Sequence, residues 1–164
     1  MEQIVGPLVG RYRTAGVLVD TNLLLLYFVG AYDPALVARF KRTADRFAPE
    51  DFDTLVVFLE RFERFVTTPH VLTEVSNLMG QLSGTARAEC FALFARTISS
   101  MHEYRAPAIT LSTNAAFGTF GITDTAIMDA SPGTYLVLTD DLPLYAYLSN
   151  QGVDVLNFNN IRPL

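Results

Sequence analysis

The run VLVDTNLLLLYF at residues 17–28 passes from three β-prone residues through one acid straight into a long apolar stretch. Residues 17–20 suit a buried strand, and Asp20 followed by Thr21 suits the start of a helix with an apolar body. A strand that feeds a helix instead of a hairpin turn commits the chain to crossover connections. The pattern recurs at TYLVLTDD (134–141), a β-rich run ending in paired acids, followed by a helix LPLYAYLSNQG closed by Gly152 and a last strand VDVLNF (153–158). Strands separated by helices predict an α/β protein with a parallel sheet covered on both faces. Ligands of such sheets bind outside the carboxyl ends of the strands, where Asp20 and the pair Asp140 and Asp141 fall.

Between these runs the spacing is mostly helical. Residues 34–47 (PALVARFKRTADRF) and 51–66 (DFDTLVVFLERFERFV) predict a helical pair, the first opened by proline and the second by acids in its first turn. In TTPHVLTEVSNLMGQL, Thr68 is the expected cap and Pro69 the first helical residue. Residues 85–103 predict a further amphipathic helix, AITL (108–111) a short strand, STNAAFGTF a short helix, and TDTAIMDAS a helix capped by Thr123.

The 164 residues, half of them hydrophobic and without a linker-like stretch, predict a single domain over 1–164 with a longer helical segment at about 33–66. The longest apolar run, 23–31, is about half of the roughly 20 residues that a membrane-spanning helix needs. The first residues, MEQIVGPLVGRYR, place an acid ahead of the apolar residues and arginines behind them, the reverse of a secretory signal, so a cytoplasmic protein is expected. One cysteine, Cys90, excludes an internal disulfide. With only His70 and His102 as imidazoles there is no conventional zinc site, so any metal must be held by oxygen. Cys90 reads as a small core residue and His70 as a solvated or capping histidine.

Net charge is −5, which argues against a general nucleic-acid coat. Eleven of the twelve basic residues precede residue 106, whereas five acids follow it, so negative charge gathers where two of the acidic motifs lie. Arg39, Lys41, Arg42 and Arg46 cluster on one segment; such a run is either a solvated helix face or a surface for phosphate.

Taken singly, Asp20, Asp124 and Asp141 each suit a helix start. Glu74 does not: it is the only charged residue between Pro69 and Leu82 apart from the titratable His70, and its neighbours at i−3 and i+4 are Val71 and Leu78, which puts it on or beside the core-facing stripe. If the four converge to about 5 Å, each pair repels by roughly 3 kcal/mol at an effective dielectric near 20, and the cluster must take up protons or cations. Oxygen donors alone select Mg²⁺ or Mn²⁺, ions suited to activating water against a phosphodiester.

The segments VLVDTN, TPHVLTEVSNL, GITDTAI and LVLTDDLPL, in that order, resemble the four signature segments of PIN domains, over about residues 17–158. The resemblance implies a three-layer α/β/α sandwich with a central parallel sheet of four or five strands. It also implies a divalent-metal ribonuclease site, commonly that of a toxin paired with an antitoxin protein. Carried over, Asp20, Glu74, Asp124 and Asp141 would be the metal ligands, with Thr21, Asn22 and Thr139 orienting ligands or water. Either Asp140 or Asp141 is available as the fourth ligand, and the T-x-D spacing favours Asp141. RNA as substrate, an antitoxin and a homodimer are the partners expected.

Other classes fit less well. Phosphoryl-aspartate enzymes want a late strand-end lysine, and the only lysine is Lys41; a serine hydrolase wants G-x-S-x-G, which is absent. The principal alternative is a catalytically inactive module of the same fold, its acids serving as caps.

Overall fold

Three residues of Val17–Val19 (β1), all buried, form the central strand of a five-stranded sheet. The structure, a computed structural model, describes residues 2–162. Helix α1 (Glu2–Tyr12) precedes β1; α2 (Thr21–Tyr32), α3 (Pro34–Val37), α4 (Lys41–Ala44) and α5 (Pro49–Leu59) follow it. Then come β2 (Phe65–Thr67), α6 (Pro69–Met79), α7 (Gly84–Ile98), β3 (His102–Glu103), α8 (Ala108–Leu111) and α9 (Phe117–Ala130). The described chain closes with β4 (Leu136–Thr139), α10 (Leu142–Asn150), β5 (Val155–Asn157) and a 3₁₀ turn at Phe158–Asn160.

The strand order is β3-β2-β1-β4-β5 and every pairing is parallel, which makes the predicted three-layer α/β/α sandwich with five strands. The chain runs outward from β1 through β2 to β3, then returns to the other side of β1 as β4. That reversal opens a crevice at the carboxyl ends of β1 and β4. The register Val17↔Leu136 and Val19↔Leu138 brings the two strands out level, so Asp20 and Thr139 emerge side by side.

Helix α2 is apolar all round because it is enclosed: Leu23, Leu24, Leu25, Leu26, Phe28 and Val29 are all buried, with α3, α5, α6 and α7 packed about it. A Cβ on Gly30 would stand 2.4 Å from the Phe52 ring, so only glycine lets α5 approach this closely. Among the described residues no helix is long and apolar enough to cross a membrane.

Several expectations are corrected. The segment 34–47 is two single turns, interrupted at Phe40, whose backbone is extended (φ −84°, ψ 113°), and the buried Thr43 hydroxyl bridges the interruption by donating to Val37 O at 2.8 Å. Helix α5 ends at Leu59, and part of the run expected to continue it is strand β2. The residues FERFV keep a helical apolar spacing, but pairing of Phe65 and Val66 with β1 prevails over it. Helix α7 stops at Ile98, and His102–Glu103 adds the edge strand β3. AITL is the helical turn α8, not a strand: Leu111 alone of its four residues is buried, so no strand face is being covered. Glu2–Tyr12, for which no element was expected, is helical.

Candidate metal centre

Asp20 is both the end of β1 and the N-cap of α2. Its Oδ1 accepts from the Thr21 N–H at 2.6 Å and its Oδ2 from the Thr139 hydroxyl at 2.6 Å, and it is 4% exposed. Thr139, fully buried at the end of β4, also accepts the Asp141 N–H at 2.9 Å. One hydroxyl thus ties the two strand ends together. Asp141 caps α10 through Oδ1, which accepts from the Leu144 N–H at 2.8 Å.

Asp124 comes from α9, which breaks at Gly121 with φ 76° and ψ −175°. A positive φ is open to glycine and costly for other residues. The helix restarts there, with the Thr125 hydroxyl donating to Gly121 O at 2.6 Å, and places Asp124 in its first turn. The break therefore falls two residues before Thr123, the cap expected from the sequence. Glu74 projects from α6 and accepts from the Thr21 hydroxyl at 3.3 Å. It is exposed, not on the core face: Val71, Val75 and Met79 fill that face and leave Glu74 to the crevice.

Asp20, Thr21, Asn22, Glu74, Asp124 and Asp141 line one cavity of about 600 Å³, together with Arg46, His70, Phe120 and others. Thr139 stands behind its wall. Asp140 does not line it: its carboxylate accepts from Asn22 Nδ2 at 3.1 Å and from Arg46 at 3.0 Å. Of the adjacent pair, Asp141 is the one facing the cavity.

Burial pushes the Asp20 carboxyl up to about 7, against the hydrogen bond from Thr139, with the charges of Asp124 and Asp140 adding to the rise. Burial likewise raises Asp124 to about 6, helped by Asp141 and Glu74. Asp20 and Asp124 are thus held where neighbouring carboxylates repel them, and a cation or a proton relieves the repulsion. The donors are hard oxygens, which fit Mg²⁺ or Mn²⁺. They do not form a closed cage. Among the described residues no three acid, histidine or cysteine side chains are gathered closely enough to hold one ion between them. Mg²⁺ usually keeps several of its waters, so it would not require a closed cage of carboxylates.

The sequence matches no known family model and no curated protein. The PIN resemblance accordingly rests on the four segments and on nothing wider.

Two residues were undervalued from the sequence. His70, expected to be solvated or capping, lines the cavity, and its buried Nδ1 has no hydrogen-bond partner. Its place one helical turn before Glu74 was the available signal. Arg46 reaches the same cavity from the 41–46 segment, and its partner Asp140 lies 94 residues away, so no local pattern announced it.

Proposed function

We propose that the protein is a Mg²⁺- or Mn²⁺-dependent ribonuclease of PIN type that hydrolyses RNA phosphodiester bonds. The observation that carries this reading is that four carboxylates from four separate elements line one cavity at the switch point of the sheet. Bound there, a divalent cation would supply an activated water and offset negative charge on the phosphoryl oxygens.

The chain's own residues have separable tasks. Asp20, Glu74, Asp124 and Asp141 would hold the cation. Thr139 fixes Asp20 and the Asp141 backbone, and Thr21 holds Glu74. Asn22 keeps Asp140 apart from the cavity with Arg46. The choice of RNA, a cytoplasmic setting, a homodimer and a toxin role with an antitoxin partner follow from the motif resemblance and from the sequence.

An inactive module of the same fold is the second reading. It is favoured by the capping work that Asp20 and Asp141 already perform and by the open spacing of the acids. Cleavage of a mixed RNA pool with Mn²⁺, Mg²⁺ or EDTA, for wild type, Asp20→Asn and Glu74→Gln, decides between them. Metal-dependent cleavage lost in both variants supports the nuclease. Metal binding without cleavage in the wild type supports the module.

A further inference from the structure

Beside the acidic cavity lies a second one, of about 530 Å³, lined by Asn22, Lys41, Arg42, Asp45, Arg46, Glu74 and Leu78. Asn22, Arg46 and Glu74 belong to both walls, so the two are neighbouring parts of one depression with opposite electrostatic character. Arg46 is the only arginine or lysine on the acidic side among the described residues; Lys41 and Arg42 join it on the other. We propose that Lys41, Arg42 and Arg46 form a subsite for a non-scissile phosphate of the single-stranded RNA whose neighbouring phosphodiester occupies the acidic cavity. This rests on the nuclease reading above.

Lys41 and Arg42 make no ion pair among the described residues, and Arg46 is paired with Asp140 through one nitrogen only. The Arg42 Nε donates to Gln81 Oε1 at 2.8 Å, which orients the guanidinium and leaves its terminal nitrogens without partners among the described residues. Arg46 is anchored on Asp140 through one terminal nitrogen, with its side chain 48% exposed. Lys41 is exposed and makes no ion pair among the described residues; Asp45 is the one acid on this side besides Glu74. Arg39, the remaining member of the cluster, is different: it is bound to Asp33 at 2.7 Å and to Ala35 O, and it lines neither cavity. On a chain with net charge −5 such a local field offsets the repulsion between the phosphate and the carboxylates of the adjoining cavity. Arginine and lysine answer that need with charge-assisted donors matched to phosphate oxygens.

The test is binding of a short fluorescent single-stranded RNA at several salt concentrations, with Mg²⁺ present and Asp20→Asn in every protein to prevent cleavage. Adding Lys41→Gln and Arg42→Gln is expected to weaken binding about tenfold at low salt and to flatten log K against log salt by about 0.7, the value for the one phosphate no longer neutralised. Adding Arg39→Gln instead is expected to change neither. An unchanged slope in the double substitution, or an equal loss with Arg39→Gln, would overturn the subsite. Both sites are exposed, and a circular-dichroism melt of each variant identifies any that fails to fold; the single substitutions, each expected to weaken binding at low salt where Arg39→Gln does not, then decide. Failure of the nuclease reading looks different: protein with Asp20 intact would bind the RNA with the same salt slope and leave it uncut.

Discussion

The Thr139 hydroxyl donates to Asp20 Oδ2 at 2.6 Å while accepting the Asp141 N–H at 2.9 Å, so a single buried oxygen sets the spacing of the two strand ends that carry the candidate ligands. Thr139→Val keeps the shape and removes both bonds. It is expected to cost about 1–3 kcal/mol of stability, since a buried carboxylate and a part-buried N–H lose partners. It is also expected to lower metal affinity or cleavage by about 10–100-fold, the usual effect of removing a group that orients a ligand. Urea unfolding and calorimetric titration with Mn²⁺ measure the two. A stability loss with unchanged metal binding would make Thr139 a structural residue only.

The acids give the metal-free protein a definite pH dependence. Asp20, raised to about 7, and Asp124, raised to about 6, hold protons in the native state that an unfolded chain has already released above about pH 4. The native state therefore binds more protons over that interval, and stability falls as pH rises from about 4 to about 7, then levels off once both states are ionised. The loss from Asp20 is on the order of a few kcal/mol. Asp20→Asn abolishes this ionisation while keeping an oxygen for the Thr21 N–H, and the Thr139 hydroxyl can turn to accept from the new amide. At pH 8 without metal the variant is expected to melt about 5–10 °C above the wild type, with the gap closing near pH 4. Equal melting temperatures at both pH values would mean that Asp20 carries no ionisation penalty.

What the sequence disclosed was local. Thr68 and Pro69 begin α6 as expected, because the cap and first-turn residues are read without tertiary knowledge, and Asp20 and Asp141 stand at strand ends for the same reason. Strand β2 was hidden because Phe62, Phe65 and Val66 extend the apolar spacing of α5, and only pairing with β1 makes Phe65–Thr67 a strand. Strand β3 has two residues and no periodicity to detect. Glu74 was legible as an unusual charge on α6, but its exposure was not, since helical spacing fixes a direction within a helix and not what lies opposite it. That the four acids line one cavity depended on strand order, which no motif states.

Metal should reverse the pH effect. Mg²⁺ or Mn²⁺ at about 100 times its dissociation constant is expected to stabilise the fold by about 2.7 kcal/mol, a rise of about 5–10 °C for a chain of this size. The rise should be larger at pH 8 than at pH 5, where protons on Asp20 and Asp124 compete for the same oxygens. EDTA should restore the original melting temperature, and Glu74→Gln should diminish the metal response without changing the metal-free value by more than about 0.5 kcal/mol, because Glu74 is exposed. A melting temperature indifferent to both metals at pH 8 would favour dispersed caps over a metal centre.

Asp140 poses the complementary question, for it is the carboxylate that the fold neutralises internally. Its side chain is 4% exposed and held by Arg46 and Asn22, whereas the Arg46 side chain is 48% exposed. Arg46→Ala leaves the acid buried with one neutral partner. The expected cost is about 2 kcal/mol, below the roughly 3–5 kcal/mol of a wholly buried pair because water already screens the arginine. Asp140→Asn is expected to cost less, and the double substitution less than the sum, with a coupling of about 1 kcal/mol in a double-mutant cycle by urea unfolding. Asp140 also adds to the upward push on Asp20, so Asp140→Asn should lower the pH at which Asp20 titrates in a carboxyl-detected NMR experiment. Zero coupling together with an unmoved Asp20 titration would reduce the pair to a surface contact, and would leave Arg46 free to serve the phosphate alone.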